Sequence, residues 1–165
     1  MEQAYCECAV KRKKTVMTLV IKILFVVIVV LLMLSTMLLP WFAILGVAAA
    51  GFLIWYWPRF DIMWEYVYCD GQIDFDRIMG GEKRKTDLRI EIEDADVIAP
   101  ADSDDIKRFH DWPTKSFISL EEGARIYGIA TRNPKDNTKK LLILFEPNDK
   151  MLDMMYSKCP RTVHK

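Results

Sequence analysis

The sequence predicts a membrane α-helical hairpin followed by an α+β domain of short antiparallel strands and one C-terminal helix. Three observations carry that expectation. Ile23–Pro58 is thirty-six residues without a charged side chain, a run that suits a bilayer and not a soluble core. Past Pro58 the apolar residues alternate in short segments separated by turn residues. From Asn148 to Pro160 they recur at helical spacing.

The chain has 165 residues, with 23 basic and 23 acidic side chains. They are unevenly placed. Five basic residues (Lys11, Arg12, Lys13, Lys14, Lys22) and two acidic ones (Glu2, Glu7) precede the apolar run, against 18 basic and 21 acidic after it. A mildly acidic domain lacks the basic face that nucleic acid requires, so no nucleic-acid partner is expected. The cysteines Cys6, Cys8, Cys69 and Cys159 show no disulfide-scaffold spacing. Cys6-x-Cys8 could hold a soft metal, but with no second Cys/His pair near it, free thiols are the better reading.

The apolar run is too long for one span. At 1.5 Å per residue it would reach roughly 54 Å as a helix, against a hydrocarbon core of about 30 Å. Pro40 marks the reversal, because proline suits the first turn of a helix and breaks its interior. Ser35 and Thr36 before it are placed to bond backbone groups freed at the helix end. The expected spans are Val16–Leu38 and Trp41–Trp57. Gly46-x-x-x-Ala50 is a small-xxx-small pattern for packing the second helix on the first. Trp41, Phe42 and Trp55–Trp57 read as interfacial belts, and Lys22 is near enough to the basic end to snorkel. Lys11, Arg12, Lys13 and Lys14 before the hairpin and Arg59 after it, with an uncharged tip between, put both ends on the cytoplasmic side of the inner membrane. The same basic residues are candidate lipid contacts. A signal peptide cleaved near Ala48-Ala49-Ala50 is the competing reading, but its apolar region would far exceed the usual 7–15 residues.

The expected organisation is a basic leader (1–15), the hairpin (16–57), the β domain with its helix (60–160) and a tail (161–165). Met63–Cys69, Ile73–Met79 and Leu88–Ile92 alternate as three strands joined by turns at Asp70-Gly71 and Gly80-Gly81, an antiparallel meander. Val97–Ala99 is a short fourth strand. Ala101–Pro113 is an acidic loop with one helical turn. Arg125–Thr131 and Lys140–Phe145 are further strands around the turn Asn133-Pro134-Lys135-Asp136-Asn137. Asn148 is a good N-cap for a helix bearing Met151, Leu152, Met155 and Cys159 on one face, which Pro160 stops.

This plan resembles the pleckstrin-homology-like domain, a bent antiparallel β-barrel plugged by one C-terminal α-helix. Glu65–Ile73 looks like the opening hairpin of bacterial versions that follow two transmembrane helices, and Leu142–Tyr156 looks like their ending. The resemblance covers about residues 60–160 and implies a small bacterial membrane protein of an uncharacterised family. In phosphoinositide-binding relatives the first hairpin is basic. Here that turn is Asp70-Gly71, which is acidic, so headgroup recognition does not carry over. Lys83, Arg84 and Lys85, after the second turn, are candidate partner or membrane contacts beside the simpler reading of a solvated hairpin end.

Signatures of catalysis are absent: no phosphate-binding glycine loop, no Gly-x-Ser-x-Gly elbow and no His-Glu-x-x-His. His110 beside Asp111 could be half of an acid–base pair but reads better as an exposed loop residue. The carboxylates at 91–96 and 102–105 lack the glycine of an EF-hand loop. Trp112 is either a lid over the core or a partner-binding anchor. The expectation is a non-enzymatic protein without cofactor or metal. It is fixed in the bilayer and presents a cytoplasmic module to an unknown protein partner, in an oligomeric state the sequence does not reveal. The alternatives are an anionic-lipid surface sensor and an accessory subunit of a membrane transporter or enzyme complex.

Overall fold

The computed structural model describes residues 5–14, 16–35, 37, 39–81, 83–134 and 136–164, with side chains for all of these except 137 and 138. The roles expected for Thr36 and Lys135, the side chain of Asn137 and the end of the first span at Leu38 lie outside the described residues. Within them are eight strands and four α-helices: β1 Tyr5–Lys11, α1 Val16–Ser35, α2 Phe42–Tyr56, β2 Ile62–Cys69, β3 Gln72–Met79, β4 Lys83–Glu91, β5 Ala95–Pro100, α3 Asp104–Lys107, β6 Thr114–Ser116, β7 Tyr127–Asn133, β8 Asp136–Phe145 and α4 Asp149–Lys158.

The helices α1 and α2 are long and apolar enough to cross a membrane, α2 with the help of the 3-10 turn Trp57–Phe60 that continues it. They lie against each other, and the buried Gly46 of α2 sits where a Cβ would come within 3.2 Å of the Met33 sulfur of α1. Ser35 Oγ donates to the Leu31 carbonyl at 2.8 Å, as a serine at a helix end does.

The strands form two four-stranded sheets, in the orders β1-β2-β3-β4 and β5-β7-β8-β6. One expectation is corrected here. The leader 1–15 is not a separate segment, because Tyr5–Lys11 pairs antiparallel with β2 from Tyr5↔Cys69 to Lys11↔Met63. The bent antiparallel barrel that the resemblance implies, whose closure the sequence left open, is seen as two open sheets, with β6 running parallel to β8. The meander is as expected, with Asp70 (φ 47°) and Gly71 (φ 103°) in the left-handed region that a two-residue hairpin turn requires.

The core lies between the sheets. Trp64, Tyr66 and Tyr68 of β2, Ile73 and Phe75 of β3, and Leu88 and Ile90 of β4 are buried, so the alternation in the sequence marks the inward face. The Phe75 ring stacks on Phe117 at 4.8 Å and meets Phe145 edge-on at 5.7 Å. The Tyr66 hydroxyl donates to the Phe117 carbonyl and accepts from the Glu146 amide at 3.4 Å, which joins the sheets through one buried phenol. Burial pushes its ionisation well above the usual tyrosine range. Met151, Leu152 and Met155 of α4 join this core, and Asn148 Oδ1 caps the helix by accepting from the Met151 amide at 2.8 Å.

Phe75→Ala empties the centre of the aromatic cluster. It is expected to cost about 3–5 kcal/mol, a large share of the stability of a domain this size, read as an earlier midpoint in denaturant unfolding of the detergent-solubilised chain.

Candidate functional site

Two surfaces collect the charged residues that the sequence singles out. The first is the junction between the apolar hairpin and the sheets. The hairpin is inserted between β1 and β2, so the chain leaves one strand at Lys11 and returns to its neighbour at Ile62. The Arg12 amide donates to the Ile62 carbonyl at 3.1 Å and extends the pairing past the end of β1. Gly80, in the β3–β4 turn (φ 60°), donates to the Asp61 carbonyl at 3.0 Å, and a Cβ there would lie 2.5 Å from Pro58 Cβ. Only glycine allows that approach together with a positive φ. The turn thus seats the end of α2 on the first sheet.

Cations ring this junction. Lys14 Nζ lies 3.1 Å from Asp61 Oδ1. The hydrogen bond from Lys14, helped by the positive charge of Lys22 and Lys11, holds the Asp61 carboxyl below the usual carboxylate range. Lys22 reaches back along α1 to the rings of Trp57 (4.9 Å) and Phe60 (5.2 Å). The Arg59 guanidinium stacks on Trp55 at 3.9 Å. The structure therefore brings Arg59 to Arg12, Lys13, Lys14 and Lys22, from which it is distant in sequence.

The second surface is the outer edge of β4. Of the other long edges, that of β5 is bridged by the C-terminal segment. Ile98 of β5 exchanges backbone hydrogen bonds with Thr162 (2.8 Å) and His164 (2.7 Å) of the C-terminal segment, and β1 is flanked by α4 and by Glu146, whose carbonyl accepts from the Cys8 thiol at 3.7 Å. The edge strand β6 has only three residues. No strand pairs with the outer side of β4, nine residues long, among the described residues. Shallow cavities of about 370 and 480 Å³ follow its second half, both walled on the far side by Pro134.

Of the basic residues on β4, Arg84 bridges Asp76 (2.5 Å) and Glu65 (2.7 Å), and Arg89 makes two bonds to Asp74 (2.7 and 2.5 Å). The hydrogen bond to Asp76 raises the Arg84 pKa. Lys83 and Lys85 are exposed and in no ion pair among the described residues.

The remaining candidates lie elsewhere. Trp112 is half-buried, packed edge-on against Phe109 at 4.6 Å over a second apolar cluster of Val97, Ala99, Ile106, Ala130 and Leu142, with Lys140 Nζ 5.1 Å from its ring. This cluster is separate from the core between the sheets. Ala50 is half-buried on α2, one turn from Gly46. His110 Nε2 contacts Asp111 at 2.8 Å and its Nδ1 lies 3.1 Å from the Lys107 carbonyl, with both side chains largely in solvent. Cys6 is buried in the core and Cys8 half-buried against it; both are free thiols, and burial raises the Cys8 pKa. Among the described residues no cluster of three His, Cys, Asp or Glu side chains is arranged to hold a metal.

The sequence reading missed β1 and therefore the junction. A signal was present, since Cys6, Cys8 and Val10 alternate with Glu7, Ala9 and Lys11. Residues 2–165 match the family described as Bacterial PH-like domain (DUF6106). The chain belongs to that family. The match takes in β1 and the inserted hairpin together with the residues beyond it. PH-like domains are in general non-catalytic. No curated protein and no solved structure matches the chain.

The depressed Asp61 carboxyl gives a pH prediction. Its contribution to stability is complete above the ordinary value of 3.8 and fades as acidification proceeds through the lower folded value. Asp61→Asn is expected to remove this acid-dependent part, so wild type and variant converge in thermal midpoint at low pH and differ at neutral pH.

Proposed function

We propose that this chain is a membrane-anchored, non-catalytic member of the bacterial PH-like family that presents its domain for interaction with another protein. The hairpin α1–α2 is the anchor. A helix of twenty residues is about 30 Å long, the thickness of a hydrocarbon core. Its two ends meet at paired strands, which requires them to lie on one side of a bilayer. The basic residues Lys11–Lys14 and Arg59 make that side the cytoplasmic face of the inner membrane. The organisation proposed is therefore an anchor of residues 16–57 set within a domain, with the interaction surface on the domain and Gly46 and Ala50 packing the anchor.

The observation that carries the interaction reading is the unpaired edge of β4. An extended segment of a partner adds to such an edge through main-chain hydrogen bonds, and flanking side chains select it. With Lys83 and Lys85 free, the segment favoured is acidic. In the absence of a partner these lysines guard the edge against self-association.

The test is co-purification of the full chain from membranes in mild detergent, with mass spectrometry of what accompanies it, beside a copy ending at Arg59. A stoichiometric partner is expected with the full chain alone. Lys83→Glu/Lys85→Glu is expected to reduce its recovery by about tenfold or more, the loss of roughly 1.4 kcal/mol of binding. Recovery of the same partner with the shorter copy would make the helices the binding surface and overturn the proposal. Membrane placement has its own check, since carbonate washing at high pH should leave the chain in the pellet.

A further inference from the structure

The β4 edge changes sign along its length. At the end that follows the Gly80-Gly81 turn, Lys83 and Lys85 are exposed and in no ion pair among the described residues, while Arg84 is held by Asp76 and Glu65. At the other end, Glu91, Asp94 and Asp96 are exposed and line the cavity of about 480 Å³ with Arg89, Arg132 and Pro134. The neighbouring Glu93 lies 4.0 Å from Lys158, but these three carboxylates are in no ion pair among the described residues. Arg89 is neutralised by Asp74, which leaves Arg132 as the cation facing them. The cavity is therefore negative, and the start of the strand is positive.

The middle of the edge keeps the two ends apart. The register with β3 shifts at Phe75/Asp76, and Asp87 of β4, which has no partner in that ladder, is bonded to Arg77 at 2.7 Å. Such a bulge interrupts pairing. A segment laid along β4 then bonds in two short runs, one on each side of Asp87, and both ends must hold it. From Lys85 to Glu91 is about 20 Å at ~3.3 Å per residue. That exceeds the screening length of about 8 Å in physiological salt, so each end selects charge independently.

We infer that this edge takes a bipolar segment of another protein, added antiparallel to β4. Basic residues in its N-terminal half meet Glu91, Asp94 and Asp96, and acidic residues in its C-terminal half meet Lys83 and Lys85. The direction follows from the greater stability of antiparallel pairs. A second copy of the chain suits the edge less. Paired in parallel, it would set lysine against lysine and carboxylate against carboxylate. Paired antiparallel, its charges would match, but the two-fold axis stands normal to the joined sheet, so both Pro134 turns would crowd one face of a single seam. This rests on the β4 edge proposed above as the interaction surface, and adds the order of charge its partner carries.

The experiment is fluorescence anisotropy of the full chain in detergent with labelled peptides as long as β4. The first carries lysines in its N-terminal half and glutamates in its C-terminal half, with valine and threonine between. The second has the two charged blocks exchanged, and the third has glutamates in both halves. Amide exchange of Lys83–Glu91, with and without peptide, reports the site. Wild type is expected to bind the first about tenfold more tightly than either other, with β4 protected and with affinity falling as salt rises. Glu91→Lys/Asp94→Lys should make the third the tightest, whereas Asp102→Lys/Glu121→Lys, the same change of charge elsewhere, should keep the wild-type order. Equal binding of the first two by wild type, or tightest binding of the third, with β4 protected, overturns the charge order and leaves the edge standing. Unchanged exchange of β4 with every peptide sinks the edge and this inference together. A wild-type dimer in light scattering that Glu91→Lys/Asp94→Lys dissociates would assign the edge to a second copy and overturn the partner named here.

Discussion

The pairing of β1 with β2 is the constraint on which the rest of the structure depends. Two neighbouring strands are joined not by a turn but by residues 12–61, which hold the whole apolar hairpin. Closing a connection of that length by chance is entropically costly. A helical hairpin removes most of the cost, because α1 and α2 lie side by side and return the chain close to where it left. The domain and the hairpin thus fix each other. The strand pair sets the separation of the helix ends, and the helix pair brings the strands into register.

The junction residues make that coupling stiff. Pro58 against Gly80, Asp61 with Lys14, and Arg59 on Trp55 each tie a residue at the end of α2 to a different element or ring. Further in, Tyr66 and Phe75 carry the connection from the first sheet to Phe117 and Phe145 beside the second. There is then a continuous packed route from the helix ends to α4.

Much of this was legible in the sequence because it is periodic. The uncharged run, the alternation of Trp64, Tyr66 and Tyr68, the Asp70-Gly71 turn and the Asn148 cap each follow from local chemistry, and each has its expected place. β1 was obscured because the lysine run that follows it drew its residues into a leader, and because its partner lies beyond the hairpin. β6 is three residues long and pairs in parallel, so it has no alternation to see. Asp70-Gly71 joins β2 to β3 and is not the first hairpin turn, because β1 pairs with β2 across the inserted helices, and the gathering of Arg12, Lys13, Lys14 and Arg59 at that crossing could not be read from the sequence without β1. The open β4 edge was equally out of reach, since an edge is defined by the strand that is missing beside it.

Amide hydrogen exchange of the full chain in detergent, followed by mass spectrometry on the peptide spanning Tyr5–Lys11, tests the central pairing most directly. Alternate amides of this segment should exchange slowly and gain protection together with those of β2 as denaturant is withdrawn. Complete exchange of residues 5–11 at the first time point, with β2 and β3 still protected, would contradict the account. The segment would then be a free leader and the hairpin would not be held between two strands.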